Sequence, residues 1–167
     1  MLKFEKVSFE QFKSDCIRQG YCESLDYQKI YESIELPKRS TQGSAGYDFF
    51  APFSFELYPN KSIFIPTGIR AKMPYGVVLI LAPRSGQGIR FKLQLMNTIG
   101  VIDADYYEAT NQGHIMVSLF NDHREGHVMN VEAGQAFCQG LFLPYYLTDD
   151  DHSNQSRTGG FGSTDQK

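Results

Sequence analysis

The sequence predicts an all-β protein, a jelly-roll β-barrel that is preceded by an accessory helix and followed by a mobile arm. The first observation is composition: the 167 residues include 15 glycines, 7 prolines, 13 phenylalanines, 10 tyrosines and no tryptophan, which favours short strands joined by turns. The second is the regular spacing of short apolar runs and turn signals between Ala45 and Tyr146, which is typical of barrels and jelly rolls. The length also suffices for one domain with its own core.

Residues 7–20 predict the accessory helix. Ser8 is a candidate N-cap residue, and Gln11 follows three positions later as in a capping box. Phe12 and Cys16 keep helical spacing up to Gly20. We expect the apolar face to pack against the barrel or a neighbouring subunit, and we assign residues 1–30 to an N-terminal helical extension.

Residues 31–147 are predicted to form the barrel. The run from Ile30 to Leu36 reads as a short strand that ends at Pro37, and Arg84, Ser85 and Gly86 read as a polar turn after a buried strand. Further strands are predicted at 45–50, 62–66, 69–73, 76–82, 113–120 and 136–146. Residues 148–158 contain no apolar side chain, so we assign 148–167 to a flexible C-terminal arm.

The segment from Asn97 to Tyr106 predicts a β-hairpin that carries two carboxylates. Because side chains alternate along a strand, Asp103 and Asp105 should share one face, with Tyr106 on the other. Two neighbouring carboxylates repel each other unless a cation, a donor or a proton lies between them, which points to metal binding or acid/base chemistry. A solvated turn is the alternative, since Asp is common in turns.

Charge and cysteine content exclude several classes of function. The formal net charge of -3 argues against binding nucleic acid through a general positive field. Cys16, Cys22 and Cys138 are odd in number and lack zinc-site spacing, so we expect neither a disulfide framework nor structural zinc. The start of the chain carries an acidic residue, Glu5, and lacks an apolar segment, and no long apolar run follows. These features predict no signal peptide and no membrane association. A reducing cytoplasm is the expected location.

Five separated motifs resemble those of the trimeric dUTPase family. The resemblance extends from about Leu36 to Thr164, and the five motifs keep the family's order and approximate spacing, which makes the combination specific. In chain order they are Ala45-Gly46-Tyr47-Asp48, Pro83-Arg84-Ser85-Gly86, Gly100-Val101-Ile102-Asp103-Ala104-Asp105-Tyr106, residues 134–139, and Gly159-Gly160-Phe161-Gly162-Ser163-Thr164.

The resemblance implies an enzyme that hydrolyses dUTP to dUMP and pyrophosphate with Mg²⁺, lowering dUTP and supplying dUMP for thymidylate synthesis. It further implies a homotrimer with its sites at subunit junctions. Asp103 matches the carboxylate that activates water, Tyr106 the ring beneath the deoxyribose, and Asp48 the residue that holds Mg²⁺ through water while the phosphates supply most ligands.

The resemblance also assigns substrate contacts. Asn97 with the backbone of Gly100, Val101 and Ile102 matches the uracil slot. Arg84, Ser85, Gly86 and Gln139 match the phosphate-side contacts. In the arm, Phe161 beside Gly162 resembles the aromatic that stacks on uracil, while Arg157, Ser163 and Thr164 would meet the outer phosphates.

Three departures from the family pattern and two rival interpretations remain. Ala136 stands where the family usually has Arg, so that charged contact is missing or is supplied by Arg90, Lys92 or another residue. Arg157 stands one residue nearer the double glycine than in many relatives, a difference that a flexible arm can absorb. Residues 107–112, here called the insert, lengthen the predicted hairpin and should change only the rim. A dCTP deaminase of the same fold is one rival, but Ser118 stands where its catalytic Glu would be. The other rival is a regulatory module, and a protein partner could bind through the extension or the insert.

Overall fold

The computed structural model describes residues 1–123 and 126–153 and shows a mostly-β, jelly-roll-like protein, which confirms the predicted fold class. The strands are β1 Lys3–Lys6, β2 Tyr47–Phe50, β3 Phe55–Leu57, β4 Ser62–Pro66, β5 Ile69–Lys72, β6 Val77–Pro83, β7 Leu93–Leu95, β8 Gly100–Ile102, β9 Met116–Asn121, β10 Met129–Val131 and β11 Ala136–Pro144. The largest sheet has the order β2-β11-β6-β8, a second has β4-β9-β7, and two ribbons pair β1 with β5 and β3 with β10. Among the described residues, all of these pairings are antiparallel.

One apolar core lies between the sheets and extends beneath the N-terminal residues. Phe49, Ile65, Leu79 and Phe137 are buried in it, and so are Phe12, Cys16 and Tyr27 from the N-terminal part of the chain. Burial of such large side chains is the main stabilising contribution to the fold. The N-terminal extension therefore shares the core of the barrel.

The accessory helix is confirmed as α1, Phe9–Arg18. Ser8 is the N-cap, and its side chain accepts a hydrogen bond from the backbone N–H of Gln11. The Gln11 side chain does not complete a capping box, because it donates to Asp15 one turn further along the helix. Strand β1, which the sequence prediction missed, pairs with β5 just before α1.

The strand predicted from Ile30 to Leu36 is wrong. The chain forms helix α2, Tyr27–Ser33, with Asp26 as N-cap accepting from the backbone N–H of Lys29. The N-cap signal and the burial of Tyr27 against the core outweigh the β-branched residues that suggested a strand.

The polar turn predicted after β6 is only partly correct. The chain does leave the sheet at Arg84, but Ser85–Phe91 forms a short helix, α3, with Arg84 at the N-cap position. Lys92 closes this helix in the left-handed conformation, with φ of 52°.

Residues 148–153, the described beginning of the predicted arm, are exposed. Residues 154–167, including Arg157, Phe161, Gly162, Ser163 and Thr164, lie outside the described residues. Across 1–123 and 126–153, none of the helices is both long and apolar enough to cross a membrane.

Candidate functional site

The first group of predicted site residues is assembled by strand pairing at one end of β6. β11 lies between β2 and β6, so that Gln139 pairs with Asp48 on one side and with Ala82 on the other. Arg84 follows directly after β6. Three motifs far apart in the sequence are thus brought together. Asp48, Arg84 and Gln139 are here called the phosphate-side cluster, after the contacts that the resemblance implies for them.

Arg84 and Asp48 form a two-pronged ion pair in this cluster. Arg84 Nε lies 2.9 Å from Asp48 Oδ1, and Nη2 donates to Oδ2 at 3.4 Å. Arg84 Nη1 also donates to the carbonyl of Ala136 at 3.4 Å, and Gln87 Nε2 donates to the same carbonyl at 3.0 Å. The guanidinium is therefore held in place by a carboxylate and a backbone oxygen.

Gln139 ties together the strands that carry the cluster. Its Nε2 donates to the carbonyl of Pro83 at 3.0 Å. A Cβ added to Gly46 would lie only 2.5 Å from the Gln139 Oε1. The glycine of the first motif therefore lets the backbone approach the end of the Gln139 side chain without displacing it.

A polar cavity of about 450 Å³ opens beside this cluster. Arg84, Ser85, Gly86, Gln87 and Arg90 form one wall. Ser85 and Gly86 are exposed at the first turn of α3, where backbone N–H groups have no carbonyl partner within the helix. Arg90 lines the same cavity, so a second guanidinium is present although Ala136 replaces the family's arginine.

The second group of predicted residues lines a separate, mainly apolar cavity of about 300 Å³. Asn97, Gly100, Val101 and Ile102 contribute to its wall, together with Leu81, Met116 and Ser118 among others. Gly100 is required there, because an added Cβ would lie 2.9 Å from Leu81 Cβ. Neither Asp103 nor Tyr106 lines this cavity, although both follow directly after β8 in the chain.

The predicted hairpin from Asn97 to Tyr106 is wrong in its second half. β8 does pair, but with β6, and Ala104–Glu108 forms a 3₁₀ helix with Asp103 at its N-cap position. Successive side chains in a 3₁₀ helix are rotated by about 120°, so the strand alternation that put Asp103 and Asp105 on one face does not apply. Both carboxylates are half-buried.

Tyr106 is buried, with 5% of its surface exposed. Its hydroxyl donates to the carbonyl of His114 at 2.8 Å and accepts from Asn111 Nδ2 at 2.7 Å. The supporting residues Asn111 and His114 were not among the predicted site residues, since a polar side chain after a turn carries no sequence signal of what it contacts.

Within one chain, Asp103 and the phosphate-side cluster lie at opposite ends of β6. Ile102 pairs with Leu79, so Asp103 stands level with Val78, and Arg84 is six residues further along. A strand rises about 3.3 Å per residue, which separates the two positions by about 20 Å. One chain therefore does not bring Asp103 to the phosphate-side cluster.

The described residues contain no group of three or more His, Cys, Asp or Glu side chains able to hold a metal ion. Asp48 is a single carboxylate, and it is already engaged by Arg84. This donor set does not fit a cation coordinated directly by the protein, but it fits contact through a water molecule with a hydrated Mg²⁺ whose other ligands come from phosphates.

The fold and these two groups define a small β protein with a cluster of polar residues around Arg84 and a separate, mainly apolar cavity. A family model for dUTPase matches residues 32–165. The deoxyuridine 5'-triphosphate nucleotidohydrolase of Lactococcus lactis is 42% identical over 134 residues, covering 78% of this chain and 88% of that protein. Its counterpart from Desulfitobacterium hafniense is 37% identical over 148 residues, covering 84% of this chain and 93% of that protein.

Solved structures agree with these matches. The crystal structure of dUTPase from Streptococcus mutans superposes with a TM-score of 0.65 at 33% identity, covering 87% of this chain and 98% of that chain. A dUTPase from phage phi11 of S. aureus shares the fold at 19% identity, with a TM-score of 0.64. The match covers 93% of this chain and 97% of that chain. The chain belongs to the dUTPase family, and it is an enzyme of that class.

Proposed function

We propose that this protein hydrolyses dUTP to dUMP and pyrophosphate, with Mg²⁺, at sites shared between the subunits of a homotrimer. The observation that carries the proposal is the separation of Asp103, at one end of β6, from the phosphate-side cluster at the other end. A triphosphate that is bound by the cluster and attacked by water at Asp103 needs the two from different chains, and closed cyclic assembly of identical chains supplies that arrangement.

The nucleoside side would select deoxyuridine. Asn97, Gly100, Val101 and Ile102 line a mainly apolar cavity of about 300 Å³, which would read the edge of uracil and exclude the methyl of thymine. Tyr106 would lie beneath the deoxyribose, where a ribose 2'-hydroxyl is crowded. A misfit of this kind can discriminate strongly between substrates.

Asp103 would act as the general base. In the proposed reaction it takes a proton from a water molecule, the water oxygen forms a bond to the α-phosphorus, and the bond from that phosphorus to the α,β-bridging oxygen breaks. Pyrophosphate leaves with the bridging oxygen, and dUMP keeps the water oxygen. Asp103 lies at the end of a paired strand, which limits its movement.

The phosphate-side cluster would bind and orient the triphosphate. Arg84 supplies a charged donor, the exposed N–H groups of Ser85 and Gly86 add neutral ones, and Gln139 keeps β2, β6 and β11 in register beside them. Asp48 would hold Mg²⁺ through water, and the ion would neutralise charge on the phosphates. A dUTPase from phage phi11 is described as coordinating a structural Mg(II) ion.

The C-terminal arm would close the site in this proposal. Phe161 and Gly162 would cover the uracil, and Arg157, Ser163 and Thr164 would meet the outer phosphates, excluding bulk water. We also propose a cytoplasmic location, where free thiols persist, because Cys16, Cys22 and Cys138 are all free.

The first experiment measures pyrophosphate release from dUTP, dCTP, dTTP and UTP, with and without Mg²⁺. The proposal expects turnover of dUTP alone among the four and a strong dependence on Mg²⁺. Release from dCTP in place of dUTP, or from none of them, would contradict it. The deaminase alternative lacks support here, since Ser118 lines the cavity where that enzyme would need an acid.

The second experiment mixes two inactive variants, Asp103→Asn and Arg84→Ala. If each site takes Asp103 from one chain and Arg84 from another, random reassembly of an equal mixture restores about one quarter of wild-type activity, since each of the two intact residues is present with a probability of one half. A site built within one chain would give no recovery. Each variant reassembled alone is the control.

A further inference from the structure

Tyr106 is held at its hydroxyl end by the insert. Asn111 Nδ2 donates to the Tyr106 hydroxyl at 2.7 Å, and Asn111 Oδ1 accepts from the backbone N–H of Gly113 at 3.2 Å. The hydroxyl itself donates to the carbonyl of His114 at 2.8 Å. Both hydrogen-bonding capacities of the tyrosine are therefore used by residues that follow closely in the chain.

The insert is in turn bonded to the N-terminal extension. Gln112 Oε1 accepts from the backbone N–H of Ser8 at 2.8 Å, and Gln112 Nε2 donates to Ser8 Oγ at 3.0 Å. At the other end of the insert, Tyr107 donates a hydrogen bond to Glu5, and its ring centre lies 4.1 Å from the Arg70 guanidinium carbon. The expectation that the insert changes only the rim is therefore wrong.

His114 connects the same region to α1. Its Nε2 accepts from the backbone N–H of Gly68 at 2.8 Å, so Nδ1 carries the proton and donates to Asp15 at 2.6 Å. Both side chains are fully buried. Asp15 also accepts a hydrogen bond from Gln11 at 2.9 Å and forms an ion pair with Arg18. The imidazole of His114 is therefore held at both ring nitrogens, and it is the backbone carbonyl of this residue that accepts the Tyr106 hydroxyl.

The turn between the insert and His114 leaves no space for adjustment. Gly113 has φ of +69°, and a Cβ added there would lie 2.6 Å from the Tyr106 carbonyl oxygen and 2.7 Å from Tyr107 Cα. Only glycine adopts this conformation without strain while letting the two backbone segments touch. The backbone that carries Tyr106 is thus packed directly against the end of the insert.

We propose that the insert and the N-terminal extension position the Tyr106 ring and thereby set the preference for deoxyribose over ribose, with Asn111 and Gln112 as the positioning residues. The inference rests on the proposed function, in which the ring lies beneath the sugar. The Tyr106 ring excludes a ribose 2'-hydroxyl only if the ring cannot move away from the sugar. Residues that hold the ring in place therefore increase the discrimination between deoxyribose and ribose.

The test compares kcat/KM for dUTP with kcat/KM for UTP in Asn111→Ala and Gln112→Ala. We expect the ratio to fall by about three- to tenfold in each, the effect of losing one or two hydrogen bonds. The ratio does not depend on how much enzyme is folded, so a merely structural role would leave it unchanged. Thr110→Ala, an exposed position in the same insert, is the matched control and should keep the wild-type ratio.

A double-mutant cycle with Tyr106→Phe identifies the route of the effect. If Asn111 acts through the hydroxyl, Asn111→Ala should change the ratio little in the Tyr106→Phe background. An unchanged ratio in both single variants, or an undiminished effect in that background, would overturn the inference.

Failure of the proposed function is distinguishable from failure of this inference. A wild-type chain that released no pyrophosphate from dUTP would overturn the proposed function. The positioning role would then be read from the relative affinities of the same variants for the α,β-imido analogues of dUTP and UTP. Equal shifts for both analogues would overturn it.

Discussion

The two ends of β6 present candidate site residues that are held in different ways. At the end with the phosphate-side cluster, Asp48, Arg84 and Gln139 stand on or next to three paired strands of the largest sheet. At the other end, here called the nucleoside end after its proposed role, Asp103 and Tyr106 leave the sheet after a strand of three residues and enter a 3₁₀ helix. Backbone pairing fixes the first group, whereas side-chain hydrogen bonds from the insert support the second.

This difference shows where the extra segments of the chain matter. The phosphate-side residues need little beyond the barrel, because strand register places them. The nucleoside-side segment has few ladder bonds of its own, and residues from the insert, themselves bonded to Ser8 and Glu5, support it. The family model begins at residue 32, so part of this support comes from residues before the matched region.

The largest expected effect in the comparison comes from Asp103→Asn. The amide keeps the shape of the carboxylate but cannot accept the proton from water, so kcat should fall by about 10²- to 10⁴-fold. Binding of the α,β-imido analogue of dUTP, measured by calorimetry, should stay near the wild-type value. Turnover close to wild type would remove Asp103 from the role of base.

A matched pair of glycine variants compares the rigidity of the two ends. Gly100→Ala forces a methyl to within 2.9 Å of the Leu81 Cβ, a backbone-anchored atom, and overpacking of this kind costs about 1–3 kcal/mol. Gly46→Ala meets the end of the Gln139 side chain at 2.5 Å, which can rotate at the loss of one hydrogen bond, or about 1 kcal/mol.

Thermal unfolding and KM for dUTP would be measured for both glycine variants. The Gly100→Ala change should lower the melting temperature more, and it should raise KM because Gly100 lines the apolar cavity. If Gly46→Ala lost more stability than Gly100→Ala, the Gln139 side chain would be held more firmly than its one hydrogen bond to the Pro83 carbonyl indicates.

The smallest expected effect concerns pH and the buried Asp15 beneath the nucleoside end. Burial alone would raise the pKa of this carboxyl, but hydrogen bonds from His114 and Gln11 and the charge of Arg18 outweigh burial and hold the pKa below its ordinary value. A carboxyl whose pKa is depressed by folding stabilises the folded state. This stabilisation is complete above the pKa of the unfolded state, about 4, and is lost as the pH falls through the pKa of the folded state.

The measurement is urea unfolding of wild type and Asp15→Asn at a fixed chain concentration between pH 7 and pH 3. The variant should be less stable by about 1–2 kcal/mol at pH 7, and the gap should narrow below pH 4. A gap that stayed constant across this range would show that the charge of Asp15 contributes nothing.

Most of the strand positions were predictable, because alternation and turn residues report on local backbone preference. Val77–Pro83 and Ser62–Pro66 lie where the apolar runs placed them. Ala104–Glu108 and Tyr27–Ser33 were not predictable as helices, since short helices depend on caps and on burial of one or two side chains. The contacts of Asn111, Gln112 and His114 were missed for a related reason: their partners are far away in the sequence.

The sequence by itself determined the fold class, the accessory helix, the five motifs and hence the family, because these depend on residue type, order and spacing. The tertiary structure decided how the motifs are grouped. Strand register puts Asp48 beside Gln139 and sends Asp103 about 20 Å along β6 from Arg84. It also decided that the insert meets the N-terminal extension, because hydrogen bonds such as those between Ser8 and Gln112 form only once the chain is folded.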